Sequence, residues 1–427
     1  MDIRDLYQKY LESGKVSTDT RQITPGSVFF ALKGPSFNAN AFAIEALAKG
    51  ASYCVVDEPA HAGDPRCVLV PDVLLALQDL ARHHRRQLTI PVVGLTGSNG
   101  KTTSKELVSA VLAKKFKTFA TRGNLNNHIG VPLTILSIDR SYEMAVVEMG
   151  ANHVGEIALL SSISQPTHGF ITNIGKAHIG TFGGFENIIR GKTELYQHLI
   201  DNHGTVFINS ANPILSAMIK RFKDPVLYPA KGNFLQCDLT QTEPFLEVRV
   251  GEGRTIKSQL VGAYNFENIA VALCIGKYFG VQLDDAAKAI EAYAPGNMRS
   301  QVIQKGTNTI ILDAYNANPT SMEAAIDSLA RMNASKKIAI IGDMFELEEE
   351  AAAEHQHIGS VLMEKKIDEA YLCGELMQHA RSTFPQGKFY RTRDELIATL
   401  KANPISNATI LIKGSRGMAM EKVAEVL

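Results

Sequence analysis

The sequence has no excess of charge of either sign, because its 427 residues include 44 Lys and Arg against 44 Asp and Glu. A balanced chain has no overall field that attracts DNA, RNA or an anionic membrane. Runs of 18 or more apolar residues are also missing, and the first residues lack the basic region and apolar run of a signal peptide. We therefore expect a protein that binds no nucleic acid and does not insert into a membrane.

Cysteines are few and scattered, with five in the whole chain and no C-x-x-C pair. This pattern argues against a zinc site or a disulfide framework, and it favours small core residues in a reducing cytoplasm. Internal repeats and low-complexity tracts are missing as well. At about 150 residues per domain, the length predicts about three domains.

The most informative segment that is present is the run GLTGSNGKTT at residues 94–103. It follows an apolar run and precedes a helix-like stretch, which is the setting of a phosphate-binding loop. Glycines let backbone N–H groups face phosphate oxygens, Lys101 adds positive charge, and the Thr102 hydroxyl suits Mg²⁺. Leu95 replaces a glycine of the usual pattern, which indicates a compact variant found in a subset of ATP users. We assign phosphate binding to Gly97, Ser98, Asn99, Gly100, Lys101, Thr102 and Thr103.

Alternation of strand-like and helix-like segments predicts an α/β fold with three domains. Residues 1–88 predict a small N-terminal α/β domain, and residues 89–297 a central phosphate-loop domain with a mostly parallel sheet. Within the central domain, residues 225–260 lose the helical period and predict a β-rich excursion. After a linker at 294–297, residues 298–427 alternate again and predict a Rossmann-like, doubly wound domain.

Parallel α/β sheets bind ligands beyond the carboxyl ends of their strands, so polar residues at those points are candidates. Glu148 ends an apolar predicted strand, where a carboxylate can reach Mg²⁺ held by Thr102. His178 follows another predicted strand, although a lone histidine is more often structural. Lys192 lies in a helix-like stretch near a glutamate, and the pattern alone favours a solvated surface residue.

Two further polar loops follow predicted strands at 313–319 and 413–417. The first offers donors and acceptors suited to a ribose, an adenine edge or a peptide, although a helix-capping turn explains it equally well. The second adds positive charge suited to a carboxylate or phosphate. Their candidate residues are Asp313, Tyr315, Asn316, Asn318, Lys413 and Ser415. Polar residues at 17–21 and 33–38 are, by pattern, turn and capping residues.

Taken together, these segments resemble the Mur ligase family over essentially the full length of the chain. The resemblance lies at 19–21, 25–34, 96–103, 123–134, 148–150, 173–178, 262–268, 313–319, 342–344 and 413–417. Within the family, the runs Asn-Leu-Asn-Asn and Asp-Ala-Tyr-Asn-Ala-Asn-Pro are similar to those of the members that add D-alanyl-D-alanine.

The resemblance implies an ATP- and Mg²⁺-dependent ligase that joins UDP-N-acetylmuramoyl tripeptide to D-alanyl-D-alanine through an acyl phosphate. It implies a role in peptidoglycan precursor synthesis; we expect a monomer, although the sequence leaves the oligomeric state open. Catalytic roles fall to Lys101, Glu148, His178 and Lys192, and metal binding to Thr102, Glu148, His178 and a carbamylated Lys192. ATP contacts are implied for Asn268, Arg299 and Asp313, and substrate contacts for Thr20, Arg21, Asn126, Asn127, Tyr315, Asn316, Asn318, Lys413 and Ser415.

Two alternatives stay open at this point. One is another amino-acid ligase of the same superfamily, such as a folate-polyglutamate or cyanophycin-type synthetase, which residues 1–88 oppose because those enzymes lack this UDP-binding module. The other is a phosphate-loop switch or transport ATPase, in which the terminal α/β domain has no role. The sequence does not distinguish diaminopimelate from lysine as the third residue of the peptide.

Overall fold

The computed structural model describes residues 2–427, and its first region is a small parallel sheet with helices. The strands are β1 (Val16–Ser17), β2 (Val28–Phe30), β3 (Lys33–Gly34), β4 (Phe37–Asn38), β5 (Tyr53–Val56) and β6 (Cys67–Leu69). The helices are α1 (Ile3–Ser13), α2 (Ala43–Ala48) and α3 (Val73–Gln87), with 3-10 turns at Thr20–Gln22, Ala39–Phe42 and Pro59–His61. The main sheet has the order β1-β2-β5-β6, and β3 and β4 form a separate hairpin.

Helix α3 anchors this first region to the next one through a buried arginine. The Arg85 guanidinium donates to the carbonyls of Ser164 at 2.9 Å, Leu88 at 2.8 Å and Gln165 at 3.0 Å. Five per cent of Arg85 is exposed, so the bonds to backbone carbonyls replace water around a charged group. The first region is therefore held against the central one by polar contacts as well as by apolar packing.

The central region is built on a six-stranded sheet in which every neighbouring pair is parallel. Its strands are β7 (Val92–Thr96), β8 (Thr118–Ala120), β9 (Met144–Glu148), β10 (His168–Ile171), β11 (Thr205–Asn209) and β12 (Val226–Tyr228), in the order β12-β11-β10-β7-β9-β8. An antiparallel sheet of β13 (Cys237–Gln241), β14 (Glu247–Val250) and β15 (Thr255–Lys257) follows. The β-rich excursion predicted at 225–260 is thus confirmed.

Helices cover both faces of the central sheet, which explains why β7 and β9 are buried at every residue. They are α4 (Lys101–Leu112), α5 (Gly130–Leu136), α6 (Glu156–Ser164), α7 (Ile179–Phe182), α8 (Phe185–Asp201), α9 (Pro213–Ser216), α10 (Asn265–Tyr278) and α11 (Leu283–Ala292), with a 3-10 turn at Ile219–Arg221. Helices α4 and α10 pack with β7 in one apolar cluster, and α6 and α8 belong to a second.

The third region is a separate six-stranded sheet of the predicted Rossmann-like type. Its strands are β16 (Gln301–Lys305), β17 (Asn308–Asp313), β18 (Lys337–Gly342), β19 (Glu369–Cys373), β20 (Lys388–Tyr390) and β21 (Thr409–Lys413), and its helices α12 (Pro319–Arg331), α13 (Ala351–Glu364), α14 (Arg393–Ala402) and α15 (Glu421–Ala424). Further 3-10 turns span Glu348–Glu350, Leu376–Ser382 and Arg416–Met418. The order is β16-β17-β21-β18-β19-β20, and only β16 is antiparallel to its neighbour.

Four sequence expectations can be compared directly with this fold. The α/β class is confirmed, and all five cysteines are free thiols, four of them buried. Among residues 2–427, no helix is both long and apolar enough to cross a bilayer. The helical period at the end of the chain predicts one terminal helix from Arg416, and this is wrong in detail, because Ala419 has a φ of +48° and separates a 3-10 turn from α15.

Candidate active site

The phosphate loop joins β7 to α4 at the carboxyl edge of the central sheet. Gly97 and Gly100 have φ angles of +145° and +77°, and a Cβ on Gly100 would lie 2.5 Å from Asn268 Oδ1. Glycine fits this backbone without displacing its neighbour, whereas other residues do not. Leu95 lies inside β7 and is fully buried, so the loop starts two residues after the position where the usual pattern has glycine.

The loop is held by the segment that follows β10, the neighbouring strand. The Asn99 N–H donates to Asn173 Oδ1 at 3.0 Å, and the Thr172 hydroxyl donates to the Asn99 carbonyl at 2.6 Å. Helix α4 has no side-chain cap, because its N-cap residue is Gly100. The first backbone N–H groups of α4 are therefore available to an anion, which the helix dipole favours.

The Lys101 side chain is folded back over the loop. Its ammonium donates to the carbonyl oxygens of Gly97 at 2.8 Å and Ser98 at 3.2 Å. Burial lowers the pKa of Lys101, the charge of Glu148 acts in the opposite direction, and that of Arg299 lowers the pKa further. A cation held in this position suits the phosphates of a nucleotide.

Glu148 ends β9, adjacent to the phosphate loop, and it is 2% exposed. Its Oε1 accepts from Asn126 Nδ2 at 2.8 Å and from the Thr102 hydroxyl at 3.3 Å. Its Oε2 is buried without a hydrogen-bond partner in residues 2–427, and the Lys105 ammonium lies 4.0 Å away. Burying a carboxylate oxygen without a hydrogen-bond partner costs desolvation free energy, so a further ligand is expected at this atom.

Lys192 is buried in α8, with 1% of the residue exposed, so the interpretation as a solvated surface lysine is wrong. The amine donates to the Ala151 carbonyl at 3.0 Å and lies 5.1 Å from the centre of the Phe182 ring. Burial, followed by the charge of Lys101, lowers the pKa of Lys192 well below its usual value. The side chain therefore favours a neutral amine.

His178 lies between the central and third regions, immediately before α7, with a φ of +58°. Its imidazole contacts the carboxylate of Glu346, and this contact lowers the pKa of Glu346. Nearby, the Gly180 N–H donates to the Glu346 carbonyl at 3.2 Å, and Lys176 pairs with Glu354 at 2.6 Å. The loop that carries His178 is thus held against the third region on both sides of the histidine.

The ends of β17 and β21 bring several predicted residues of the third region together. The Lys413 ammonium is 2% exposed, lies 2.5 Å from Asp313 Oδ2, and donates to the Asn316 carbonyl at 3.2 Å. The Arg299 guanidinium lies 3.7 Å from the centre of the Tyr315 ring, which is a stacked cation–π contact. The charge of Lys413 is therefore paired with Asp313, whereas the guanidinium of Arg299 lies over the aromatic ring of Tyr315.

Several predicted substrate residues are used within the protein or lie elsewhere. Asn127 Oδ1 accepts from the Gly130 N–H at 2.8 Å, and Ser415 Oγ accepts from the Phe345 N–H at 2.9 Å. Thr20 and Arg21 lie in the first region, where Arg21 forms an exposed ion pair with Asp19. Neither of these two residues borders the main cavity.

A cavity of about 840 Å³ lies between the central and third regions. The predicted residues that line it are Ser98, Asn99, Gly100, Lys101, Thr102, Thr103, Asn126, Asn127, Glu148, His178, Asn268, Arg299, Asp313, Tyr315, Asn316, Asn318 and Lys413. Five predicted residues do not line it, namely Gly97, Lys192, Thr20, Arg21 and Ser415. Ala151, whose carbonyl accepts the hydrogen bond from the Lys192 amine, does line it. All nucleotide candidates except Gly97, and most substrate candidates, therefore share one cavity.

Four residues that were not predicted contact the loops that line this cavity. Asn173 and Thr172 hold the loop, and their position just after β10 was a usable signal. Glu346 and Glu354 carried no such signal, because their roles depend on contacts between two regions. Throughout 2–427, no group of three or more His, Cys, Asp and Glu side chains is arranged to hold a metal. A cation here would need hydroxyl, phosphate or modified-lysine oxygens.

Comparison with known proteins gives matches over both large regions. The Mur ligase middle domain matches residues 95–276, and the Mur ligase, glutamate ligase domain matches residues 298–416. The UDP-N-acetylmuramoyl-tripeptide–D-alanyl-D-alanine ligase of Bacillus subtilis (strain 168) is 34% identical, over 96% of this chain and 92% of that protein. The ligase of the same name from Escherichia coli (strain K12) is 36% identical, over 96% and 93%.

Solved structures match over the whole chain. A crystal structure of MurF from Acinetobacter baumannii has a TM-score of 0.88 at 31% identity, covering 99% of this chain and 97% of that one. MurF ligase from Thermotoga maritima in complex with ADP has a TM-score of 0.87 at 28% identity, covering 97% of each chain. All three regions of the fold are included in these alignments.

Proposed function

Because the chain belongs to the Mur ligase family, we propose that it uses ATP to join D-alanyl-D-alanine to UDP-N-acetylmuramoyl tripeptide. The observation that carries this proposal is that relatives with this named activity align over 96% of the chain. The shared cavity supports it, because the phosphate loop, Glu148 and the loop after β17 all face one space. An amide ligase needs such a space for a nucleotide, a carboxylate and an amine.

In the proposed reaction, a carboxylate oxygen of the tripeptide attacks the γ-phosphorus of ATP, and the bond to ADP breaks. The amine of D-alanyl-D-alanine then attacks the acyl phosphate, inorganic phosphate leaves, and the amine gives up a proton. The first step brings two anions together, so positive charge must surround the transferred group. We assign this role to Lys101 and to the free N–H groups at the start of α4.

We propose that Mg²⁺ binds beside the phosphate loop, held by Thr102 and Glu148. The unpartnered, buried Oε2 of Glu148 and the hydroxyl next to its Oε1 fit an oxygen-preferring cation. When bound, the ion supplies charge that offsets the negative phosphate oxygens. The chain's own contribution is orientation, because Asn126 fixes the Glu148 carboxylate at 2.8 Å.

We also propose that Lys192 is carbamylated and, together with His178, holds a second Mg²⁺. Carbamylation joins the nitrogen to the carbon of CO₂ with loss of a proton, and it requires a neutral amine. Burial lowers the pKa of Lys192 and so favours the neutral amine that this step needs. Glu346, in contact with the imidazole of His178, orients the ring.

The remaining predicted residues complete the proposal. We assign Asn268 and Asp313 to the adenosine part of ATP, Arg299 to phosphate, and Tyr315, Asn316 and Lys413 to substrate in the same cavity. We assign Thr20 and Arg21 to the UDP end of the long substrate, and Asn126 and Asn127 to its sugar and peptide. The division into 1–88, 89–297 and 298–427 is supported by one main sheet in each range. We place the reaction in the cytoplasm, in keeping with five free cysteines, and propose a monomer because one chain supplies the whole cavity.

The test is a reconstitution with ATP, Mg²⁺, D-alanyl-D-alanine and UDP-muramoyl tripeptides that contain either diaminopimelate or lysine. We expect a UDP-muramoyl pentapeptide by mass spectrometry, with one ADP formed per product. The matched control is Lys101→Ala, which should keep the fold by circular dichroism but form no product. Phosphate release that is independent of the dipeptide would contradict the ligase and favour a switch ATPase.

A further inference from the structure

A hydrogen bond joins the phosphate loop to the third region of the chain. Asn318 Nδ2 donates to Asn99 Oδ1 at 2.7 Å, across 219 positions of sequence. The other end of the Asn318 carboxamide has a different partner, because its Oδ1 accepts from the Ser321 N–H at 2.9 Å and caps α12. The oxygen of this side chain therefore forms a hydrogen bond within the third region, and the nitrogen forms one with the phosphate loop.

The central region holds the backbone of Asn99 but not the oxygen of its side chain. The Asn99 N–H and carbonyl are bound by Asn173 and Thr172, at 3.0 Å and 2.6 Å. The side-chain oxygen of Asn99 accepts from Asn318. The orientation of this side chain, between the two glycines of the loop, thus depends on the third region being docked.

A second contact places the first turn of α12 on the neighbouring loop. The Lys176 N–H donates to the Thr320 hydroxyl at 3.0 Å, and the Lys176 ammonium pairs with Glu354 of α13 at 2.6 Å. The start of α12 therefore rests on the phosphate loop and on the loop that supports it. Docking of the third region therefore affects the structure of the loop to which a nucleotide phosphate binds.

We propose that Asn318 is a positioning residue that couples docking of the third region to nucleotide binding, rather than a residue that binds the peptide substrate. The inference rests on the proposed function in so far as residues 97–103 bind ATP. If docking stabilises the loop, nucleotide binding stabilises docking by the same factor, because the coupling of two equilibria is reciprocal. Phosphoryl transfer then takes place in the arrangement that closes the cavity over the acyl phosphate.

The test is the affinity for ADP, measured by isothermal titration calorimetry on the full chain. Asn318→Ser keeps an N-cap, since serine caps helices about as well as asparagine, but its side chain is too short to reach Asn99. Loss of one hydrogen bond predicts about fivefold weaker ADP binding with little change in the thermal midpoint. Thr392→Ala, which removes the cap of α14 in the same region, is the matched control and should leave ADP affinity unchanged.

A double-mutant cycle with Asn99→Ala decides whether the effect passes through this contact. We expect Asn318→Ser to change ADP affinity by less than about twofold once Asn99 is alanine, because the shared bond is already lost. An undiminished effect in that background, or wild-type affinity in Asn318→Ser alone, overturns the inference and leaves the proposed function intact. A wild-type protein that fails to bind ADP refutes the proposed function itself, and the coupling with it.

Discussion

Gly100→Ala tests the geometry of the phosphate loop most directly. The new methyl group would lie 2.5 Å from Asn268 Oδ1 and 3.1 Å from its Nδ2, too close for either atom to stay in place. Asn268 accepts from the Ser104 hydroxyl at 2.7 Å and donates to Asn265 at 2.8 Å. Displacing the carboxamide therefore breaks two buried hydrogen bonds, in addition to forcing alanine into a left-handed backbone.

The size of the effect follows from a comparison with Gly123, which also has a positive φ, +54°, and borders the same cavity. A Cβ on Gly123 meets nothing within 4 Å, so Gly123→Ala measures only the backbone cost, about 1 kcal/mol. Gly100→Ala should lower the free energy of unfolding by about 2 kcal/mol more, at about 1 kcal/mol per hydrogen bond of Asn268. Urea unfolding followed by circular dichroism measures both variants. Equal destabilisation by the two would refute the close contact with Asn268.

Three further predictions concern other buried charged or titratable groups. Lys192→Ala should lose most ligase activity and recover part of it with added short carboxylates that replace the carbamate; a near-normal rate would show that the lysine has no role. Arg85→Ala should lower the free energy of unfolding by about 3 kcal/mol, because buried carbonyls lose their donors, whereas the exposed Arg86→Ala should change it by less than about 0.5 kcal/mol. Partial burial lowers the pKa of His168 to about 4, against about 6.5 in the unfolded chain, so the free energy of unfolding should fall by up to about 2 kcal/mol as pH drops between these values. The urea midpoint of the His168→Asn variant should depend less on pH in this range than that of the wild type. An equal dependence on pH would contradict the role given to His168.

The elements predicted well were those with strong patterns. The helical period over 265–278 predicts a helix and the apolar run at 369–373 predicts a strand, and the structure has both at these bounds, Asn265–Tyr278 and Glu369–Cys373. Four other elements, α1, α11, β16 and β20, were not predicted. Helix α11 buries mainly alanines, and the two strands lie at the edges of their sheet with partly exposed residues, so their patterns were weak.

Lys192 is the site residue whose burial the local sequence pattern did not predict. A lysine in an amphipathic helix normally faces water, and nothing in its neighbours along the chain indicates otherwise. Its burial results from packing of α8 within the central region, where the amine meets the carbonyl of Ala151, 41 positions earlier. The family resemblance identified the residue, whereas the local pattern placed it on the surface.

The sequence by itself determined the phosphate loop, the α/β class, the strand ends at which Glu148 and Asp313 lie, and the loop after β10 that carries His178. These features are local, because a loop between a strand and a helix is specified by adjacent residues and by the period of the elements on either side. Tertiary structure alone decided the unpartnered oxygen of Glu148, the burial of Lys192 and the contact between Asn99 and Asn318. Each of these depends on burial or on a partner far away in the chain, and both arise only when separate regions pack together.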